Sequence, residues 1–229
     1  FPQCTLQQLL HQEIDIPTGF LPLQHFSDYL QRGYYPFADG DINQYIQQVV
    51  NATIETDIPQ YADLSVATAR KLKRLLAIIA QSAPFKPNMT QIGGQLEVSR
   101  NSIADLCVYL EKAGLIGQLR TATGGIQGLG KVDKIYLDNT PLIYTLGRQD
   151  VEIGTVRETF FFNQTRSLCS VTTSPVSDFL IDGKYTFEVG GKKKRQRQLQ
   201  SIENGYVVKD DIETGYGNII PLWMFGMLY

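Results

Sequence analysis

Two short alternating segments on either side of Asp182-Gly183 constrain the fold of this chain more than any other feature. Residues 176–181 and 184–189 read VSDFLI and KYTFEV, which have the two-residue period of half-buried strands. An Asp-Gly pair between two such segments is typical of the turn of a β-hairpin. The C-terminal part of the chain is therefore predicted to contain a sheet in which Asp178 and Glu188 lie on neighbouring strands.

The register of this hairpin decides whether the two carboxylates share a face. A two-residue loop pairs Asp178 with Phe187 and turns Glu188 to the opposite face. A three-residue loop, residues 181–183, pairs Asp178 with Thr186 and puts Glu188 diagonal to Asp178 on one face. This loop separates the residues into one apolar set and one mainly polar set: Phe179, Tyr185, Phe187 and Val189 against Asp178, Leu180, Lys184, Thr186 and Glu188. We therefore predict the three-residue loop and converging carboxylates.

Two converging carboxylates suit a metal-dependent phosphodiester hydrolase, in which Mg²⁺ lowers the pKa of a bound water. Asp178 and Glu188 are the candidate metal ligands and catalytic residues. Such a site usually adds a lysine two residues after the glutamate, because side chains at i and i+2 share a face. Here that position is Gly190, and Lys192 reaches the same face only if the strand continues through both glycines.

Glu158 is a further catalytic candidate with two interpretations. It belongs to a predicted helix that precedes the hairpin, so it could support the carboxylate pair. It also completes the sequence Thr155-x-x-Glu158, which has the spacing of a capping box at a helix N-terminus. The sequence leaves both roles open.

Residues 65–148 have the pattern of a winged helix-turn-helix. Apolar residues at helical spacing predict a first helix, Thr90 is placed to cap a second, and Ser99 is placed to cap a third that ends at Gly114. Two strands follow, the second over residues 134–137, with a glycine-rich loop between them. This order predicts a β-wing after the third helix.

The glycine-rich loop imitates a nucleotide-binding motif. Residues 125–131 spell G-x-x-x-x-G-K, as in a phosphate-binding P-loop. The next residue is Val132, where the motif requires a Ser or Thr hydroxyl for Mg²⁺, and residues 132–137 alternate like a strand. We interpret the loop as the tip of the wing, and this chain by itself is not expected to bind ATP.

DNA is a candidate partner, although the overall charge of the chain does not indicate DNA binding. The net charge is −2 and the pI about 5.7, which excludes a global basic field. The third predicted helix offers Arg100 and Asn101 but also Asp105 and Glu111, so contact with DNA and contact with protein both stay open. Lys131 and Lys134 near the wing are further cationic candidates. So are Lys193, Lys194 and Arg195, for which a solvated basic face is the alternative.

The remaining composition points to a cytoplasmic protein. Three widely spaced cysteines argue against a disulfide framework or a zinc site and for a reducing compartment. No apolar run is long enough to span a bilayer, so no membrane partner is expected. Residues 1–64 are predicted to form a small helical subdomain with an aromatic core.

Several segments resemble, in order, the C-terminal half of prokaryotic AAA-type ATP-binding proteins: HFSDYLQRGYYPF, SRNSIADLCVYLEKAGLI, KVDKIYLDNT, IGTVRETFFFNQ, SDFLID and YTFEVGGKKK, VVKDDIE and PLWMFGMLY. The resemblance covers nearly the whole chain. It implies a winged helix followed by a restriction-endonuclease-like, PD-(D/E)xK-type domain, with the ATP-binding P-loop module outside this chain. The nuclease-like positions that it implies are Glu158, Asp178 and Glu188, and its lysine position has no clean match.

We therefore expect an α+β and α/β multidomain chain: a helical subdomain (1–64), a winged helix (65–148) and a restriction-endonuclease-like α/β domain (149–229). The expected function is that of a recognition or regulatory module of an AAA-family ATP-binding protein. Its partners would be DNA and its own N-terminal ATPase module, and its nuclease-like domain would be degenerate. The alternatives are an active Mg²⁺-dependent nuclease and a winged-helix transcriptional regulator.

Overall fold

The computed structural model describes residues 3–36, 40–82, 84, 86–122, 130–147, 151–194, 199 and 201–228. Within them the protein is mixed α/β, with nine α-helices and a seven-stranded mixed sheet. The chain divides into two compact units. Unit 1 comprises Phe1–Leu30, Leu119–Lys131 and Glu152–Tyr229, and unit 2 comprises Gln31–Gln118 and Val132–Val151. No helix in the described part of the chain is long and apolar enough to cross a membrane.

Unit 2 contains most of the helices. They are α3 (Ile42–Ala52), a π-helical segment (Thr53–Asp57), α4 (Ile58–Ala62), α5 (Val66–Ala80), α6 (Met89–Leu96), α7 (Arg100–Lys112) and α8 (Thr140–Leu146). Strand β1 (Ile116–Arg120) contributes residues to both units, and its neighbour β2 (Val132–Leu137) belongs to unit 2. The core of the unit forms because each helix buries one apolar stripe. The stripe of α5, for example, includes Leu72, Leu75, Leu76 and Ile79.

The helix caps of unit 2 match the predictions in part. Ser99 Oγ accepts a hydrogen bond from Ser102 N, so Ser99 caps α7 as predicted. The prediction that Thr90 caps α6 is wrong, because α6 begins at Met89, Thr90 lies inside it, and Asn88 Oδ1 accepts the capping bond from Gln91 N. The P-loop imitation lies mostly in residues 123–129, which are outside the described residues.

Unit 1 is built on strands. Helices α1 (Leu6–Leu10), most of α2 (Pro22–Arg32) and α9 (Ile153–Arg166) accompany β3 (Val171–Thr173), β4 (Phe179–Ile181), β5 (Tyr185–Gly190), β6 (Gly205–Lys209), β7 (Ile219–Pro221) and a 3-10 segment (Leu222–Met227). Strands β3, β4 and β5 pair antiparallel, whereas β6 and β7 continue parallel to β5. Beside β3, Arg120 of β1 pairs in parallel with Thr172. Phe161 of α9 packs against the sheet, with its ring 5.0 Å from that of Phe179 and 5.2 Å from that of Phe187.

The β4–β5 hairpin has a three-residue loop, as predicted, but its register differs by two residues. Phe179 pairs with Phe187, Leu180 with Thr186 and Ile181 with Tyr185, so the loop comprises residues 182–184 and not 181–183. Ile181 is fully buried in the strand, and a place in the loop would expose it. Because the difference is an even number of residues, the two predicted faces of the hairpin are unchanged.

Candidate functional site

Glu188 is the centre of a charged cluster in unit 1. It lies in β5 between two apolar residues, and only 5 % of its surface is exposed. The carboxylate oxygen Oε1 forms an ion pair with Lys194 Nζ, and Oε2 forms a hydrogen bond with Ser177 Oγ. Both oxygens of this buried carboxylate are thus engaged by groups of the same chain.

Asp178 lies beside Glu188, as the hairpin face predicts. It immediately precedes β4 and is half-buried. Its Oδ2 accepts a hydrogen bond of 2.8 Å from Val189 N across the hairpin. Ser177, one residue earlier, also contacts the Phe187 carbonyl oxygen, at 2.9 Å. The segment before β4 is therefore tied to β5 by side chains, and this tie keeps the two carboxylates on one side of the sheet.

The lysine at the carboxylates is Lys194, and Lys192 lies elsewhere. Strand β5 ends at Gly190, and a turn closed by a 2.9 Å hydrogen bond from Lys194 N to Gly191 O reverses the chain. This turn leaves Lys192 and Lys193 exposed and directs Lys194 back over the end of the strand. Sequence reasoning missed this role because strand periodicity cannot follow a chain through a turn. The sequence feature that could have indicated this turn is the pair Gly190-Gly191, because glycines weaken a strand and allow it to end.

Electrostatics hold the Lys194 ammonium in its charged form. Desolvation on its own lowers the pKa of Lys194. The hydrogen bond to Glu188 and the negative charges of Glu188, Asp178 and Glu158 outweigh that effect and raise its pKa above the ordinary value. The influence of Glu158 on this pKa means that α9 contributes a third carboxylate to the surroundings of the amine.

The capping role considered for Glu158 is wrong. Helix α9 begins at Ile153 with Glu152 at the cap position, so Thr155 lies inside the helix and cannot cap it. The sequence also gave no hint of a neighbouring ion pair: Arg157 Nε donates to Asp210 Oδ2 at 2.8 Å. Asp210 follows β6 directly, and its N–H donates to Gly190 O at 2.9 Å. Charged residues from α9, β5 and the end of β6 therefore meet in this region of unit 1.

The cluster does not fit a divalent cation in its present arrangement. Among the described residues, no group of three or more His, Cys, Asp or Glu side chains is placed to hold a metal ion. Divalent cations such as Mg²⁺ require several oxygen ligands. Here Lys194, Ser177 and Val189 already donate hydrogen bonds to both oxygens of Glu188 and to one oxygen of Asp178.

The predicted nucleic-acid contacts divide between the two units. Arg100 and Asn101 are exposed at the first two positions of α7 in unit 2, and Lys134 lies partly buried in β2. Lys131 is exposed but belongs to unit 1, as do Lys193 and Lys194. Arg195 lies outside the described residues.

A second polar cluster, in unit 2, was missed by the sequence analysis. Tyr34 Oη donates a 3.0 Å hydrogen bond to Oδ2 of the buried Asp138, and Asn139 Nδ2 donates to Tyr34 Oη at 3.2 Å and to Tyr35 Oη at 3.0 Å. Asn139 also caps α8 through Leu142 N. The Tyr-Tyr and Asp-Asn pairs are 104 residues apart in sequence, so no local pattern connects them.

One protein family includes this chain's central region. A family model described as a domain of unknown function (DUF8612) matches residues 23–152, more than half of the 229 residues. No curated protein matches the chain, and no solved structure matches it either. The match ends before Asp178 and Glu188 and carries no link to AAA-type ATP-binding proteins or to restriction-endonuclease-like folds.

Proposed function

The chain belongs to the DUF8612 family of domains of unknown function, and from its geometry we propose that it is a DNA-recognition module with a non-hydrolysing, nuclease-like α/β part. In the AAA-family protein that the sequence resembles, such a module would bind duplex DNA next to the ATPase. The observation that carries this proposal is the exposure of Arg100 and Asn101 at the start of α7.

The order of elements from α5 to β2 supports a winged-helix interpretation of this surface. Helices α5, α6 and α7 are followed by the neighbouring strands β1 and β2, and α6 and α7 are joined by a turn in which Glu97 has a left-handed φ of 54°. In helix-turn-helix proteins the second helix of the motif enters the major groove and presents its N-terminal residues to the bases. Arg and Asn are the side chains best suited to guanine and adenine, respectively.

The charge on this helix is more favourable than the sequence indicated. The negative charge of Glu111 disfavours DNA contact, but its carboxylate accepts two 2.8 Å hydrogen bonds from Gln118, one from the backbone N and one from Nε2. This glutamate therefore serves to hold β1 to α7. Asp105 is still exposed on the helix, so we expect specific binding of moderate affinity.

Fluorescence anisotropy with a labelled DNA duplex at low salt tests this proposal. We expect the wild type to bind and Arg100→Ala to lose about 1–3 kcal/mol of binding free energy, as for a base-contacting arginine. Lys112→Ala is the matched control, because Lys112 is an exposed cation at the opposite end of the same helix. Failure of the wild type to bind, or equal loss in both variants, would contradict the proposal.

An active Mg²⁺-dependent nuclease is the second candidate, and the topology of unit 1 favours it. A restriction-endonuclease-like core needs an aspartate and a glutamate on neighbouring strands, and the β4–β5 hairpin brings Asp178 and Glu188 to one side of the sheet. Incubation of plasmid DNA with the protein and Mg²⁺ or Mn²⁺ distinguishes the candidates. Nicking that disappears in Glu188→Gln would establish the nuclease and reject the non-hydrolysing module.

A further inference from the structure

We infer that Lys194 is the built-in cation of the Glu188 site, that it takes the place a divalent cation would otherwise occupy, and that Gly190 is the residue that admits it. The inference deepens the non-hydrolysing part of the proposed function and rests on it. It does not depend on DNA binding by α7.

The first step is the need of Glu188 for a counter-charge. An ionised carboxylate that is 95 % buried is stable only when a positive charge and hydrogen bonds replace the water that it loses. Ser177 supplies a neutral hydrogen bond, and Lys194 supplies the charge. The Lys194 side chain is 36 % exposed, so its amine reaches the buried carboxylate from the surface.

The second step is the space above Gly190. A Cβ atom at this position would lie 2.7 Å from Lys194 Cδ, 2.8 Å from its Cγ and 2.9 Å from its Cβ. The lysine stem thus crosses the strand where glycine has no side chain. The turn between Gly191 and Lys194 then fixes the direction of approach. Any side chain at position 190 would occupy the space through which Lys194 reaches Glu188.

The third step is the charge balance around the amine. The carboxylates of Glu188, Asp178 and Glu158 all act on Lys194, and they come from β5, from the residue before β4 and from α9. Removal of the ammonium would leave the carboxylates of Glu188 and Asp178, on one side of the hairpin, without the cation that Glu188 contacts. Hard divalent cations bind such oxygen atoms, with Mn²⁺ and Mg²⁺ as the natural probes.

Calorimetric titration of Mn²⁺ into the full chain tests the inference. We expect no binding heat for the wild type, binding heat for Lys194→Ala, and its loss in Lys194→Ala/Glu188→Gln. Lys193→Ala is the matched control, because Lys193 is the exposed neighbour and its replacement should leave the wild-type result unchanged. Mn²⁺ binding by the wild type that Glu188→Gln abolishes would overturn the inference, and so would a folded Lys194→Ala variant that binds no Mn²⁺.

A second measurement covers the case in which Lys194→Ala does not fold. Loss of one partner of a buried ion pair is strongly destabilising, whereas replacement of both partners by neutral groups is tolerated. We then expect Glu188→Gln/Lys194→Met to recover a cooperative thermal unfolding transition, and its failure to do so would overturn the inference. DNA binding is a separate measurement. If Arg100→Ala binds DNA as tightly as the wild type, only the recognition proposal is rejected. If the wild type binds Mn²⁺, only the inference about Lys194 is rejected.

Discussion

At the scale of single residues, the polar cluster of unit 2 shows how one hydroxyl connects distant segments. Tyr34 follows α2, and its hydroxyl both donates to Asp138 and accepts from Asn139. The residue as a whole is 55 % exposed, but its hydroxyl meets a carboxylate that is only 5 % exposed. A phenolate at this position would lie beside a negative charge, so the hydroxyl must keep its proton for the cluster to hold.

We therefore predict that Tyr34 makes the stability of the protein sensitive to alkaline pH. Desolvation and the charge of Asp138 raise the pKa of Tyr34 above its ordinary value. The folded protein thus keeps a proton that the unfolded chain releases above about pH 10. The contribution of Tyr34 to the free energy of unfolding is therefore complete below that pH and decreases as the pH rises further. Urea unfolding should show a steeper alkaline loss for the wild type than for Tyr34→Phe.

The same experiment includes a control and a neutral-pH expectation. At neutral pH, Tyr34→Phe should cost about 1 kcal/mol, because Asp138 loses one hydrogen-bond donor. Tyr61→Phe removes a hydroxyl from a residue that is 80 % exposed and should change neither quantity. Parallel alkaline slopes for the wild type and Tyr34→Phe would refute the assignment.

The residues of the Glu188 site show what sequence could predict at this scale. Strand parity placed Asp178 and Glu188 on one face, because that face is determined by alternation alone. Lys194 could not be assigned in this way, because it depends on a turn and on free space above Gly190. Arg157 and Asp210 were missed for a related reason, since their contact joins a helix to the end of a strand 53 residues later.

At the scale of elements, two adjacent glycines of α6 differ sharply in their surroundings. A Cβ atom on Gly93 would lie 2.7 Å from the carbonyl oxygen of Val98, whereas one on Gly94 would meet nothing within 4 Å. The Val98 N–H in turn donates to Gly93 O at 2.9 Å. The turn from α6 to α7 therefore folds back onto Gly93, and backbone atoms cannot move aside as a flexible side chain can.

We predict opposite outcomes for alanine at these two positions. Gly93→Ala should cost about 1–3 kcal/mol, as expected for overpacking, and should weaken DNA binding because α7 is displaced. Gly94→Ala should stabilise the protein by about 0.5–1 kcal/mol, because alanine favours an exposed helix position. Chemical unfolding and the anisotropy assay measure both effects. Equal tolerance of the two substitutions would show that the α6–α7 turn is not tightly packed.

Elements were predicted well where one pattern decides them. Ser99 and Gly114 bound α7 as expected, since a cap and a left-handed glycine act locally. The start of α9 was misplaced because Thr155-x-x-Glu158 has the letters of a capping box inside a helix that begins earlier. The π-helical segment Thr53–Asp57 gave no signal, because the buried residues Val50, Ile54 and Ile58 keep a four-residue spacing that an α-helix also shows.

At the scale of the whole molecule, both compact units are discontinuous in sequence. Residues 119–131 belong to unit 1, although they lie within the span predicted for a winged helix. Composition and the positions of Gly and Pro predict domains that are continuous in sequence. They therefore cannot predict units that are each made of several separate segments. The mixed α/β class was predictable, because it follows from the two kinds of hydrophobic period.

The overall charge sets the expected salt dependence of DNA binding. With a net charge of −2, the chain has no general attraction for phosphate, so affinity must come from a few local cations. Two or three phosphate contacts give a slope of about −2 to −3 in a plot of log K against log salt. We predict a wild-type slope in this range and a nearly unchanged slope in Arg100→Ala, because Arg100 is proposed to contact a base and not a phosphate.

The anisotropy titration repeated over a range of salt concentrations checks this prediction. Lys193→Ala is the control. Lys193 is exposed in the basic segment of residues 192–194, which follows β5 in unit 1, and it is not part of α7. An unchanged slope in both variants, with affinity lost only in Arg100→Ala, would support contact between α7 and the bases. A steep slope that falls in Lys193→Ala, with the affinity of Arg100→Ala unchanged, would instead assign DNA binding to the basic segment after β5. That result would remove the winged helix from the proposed mechanism, because phosphate attraction would then act without the helix that is proposed to contact the bases.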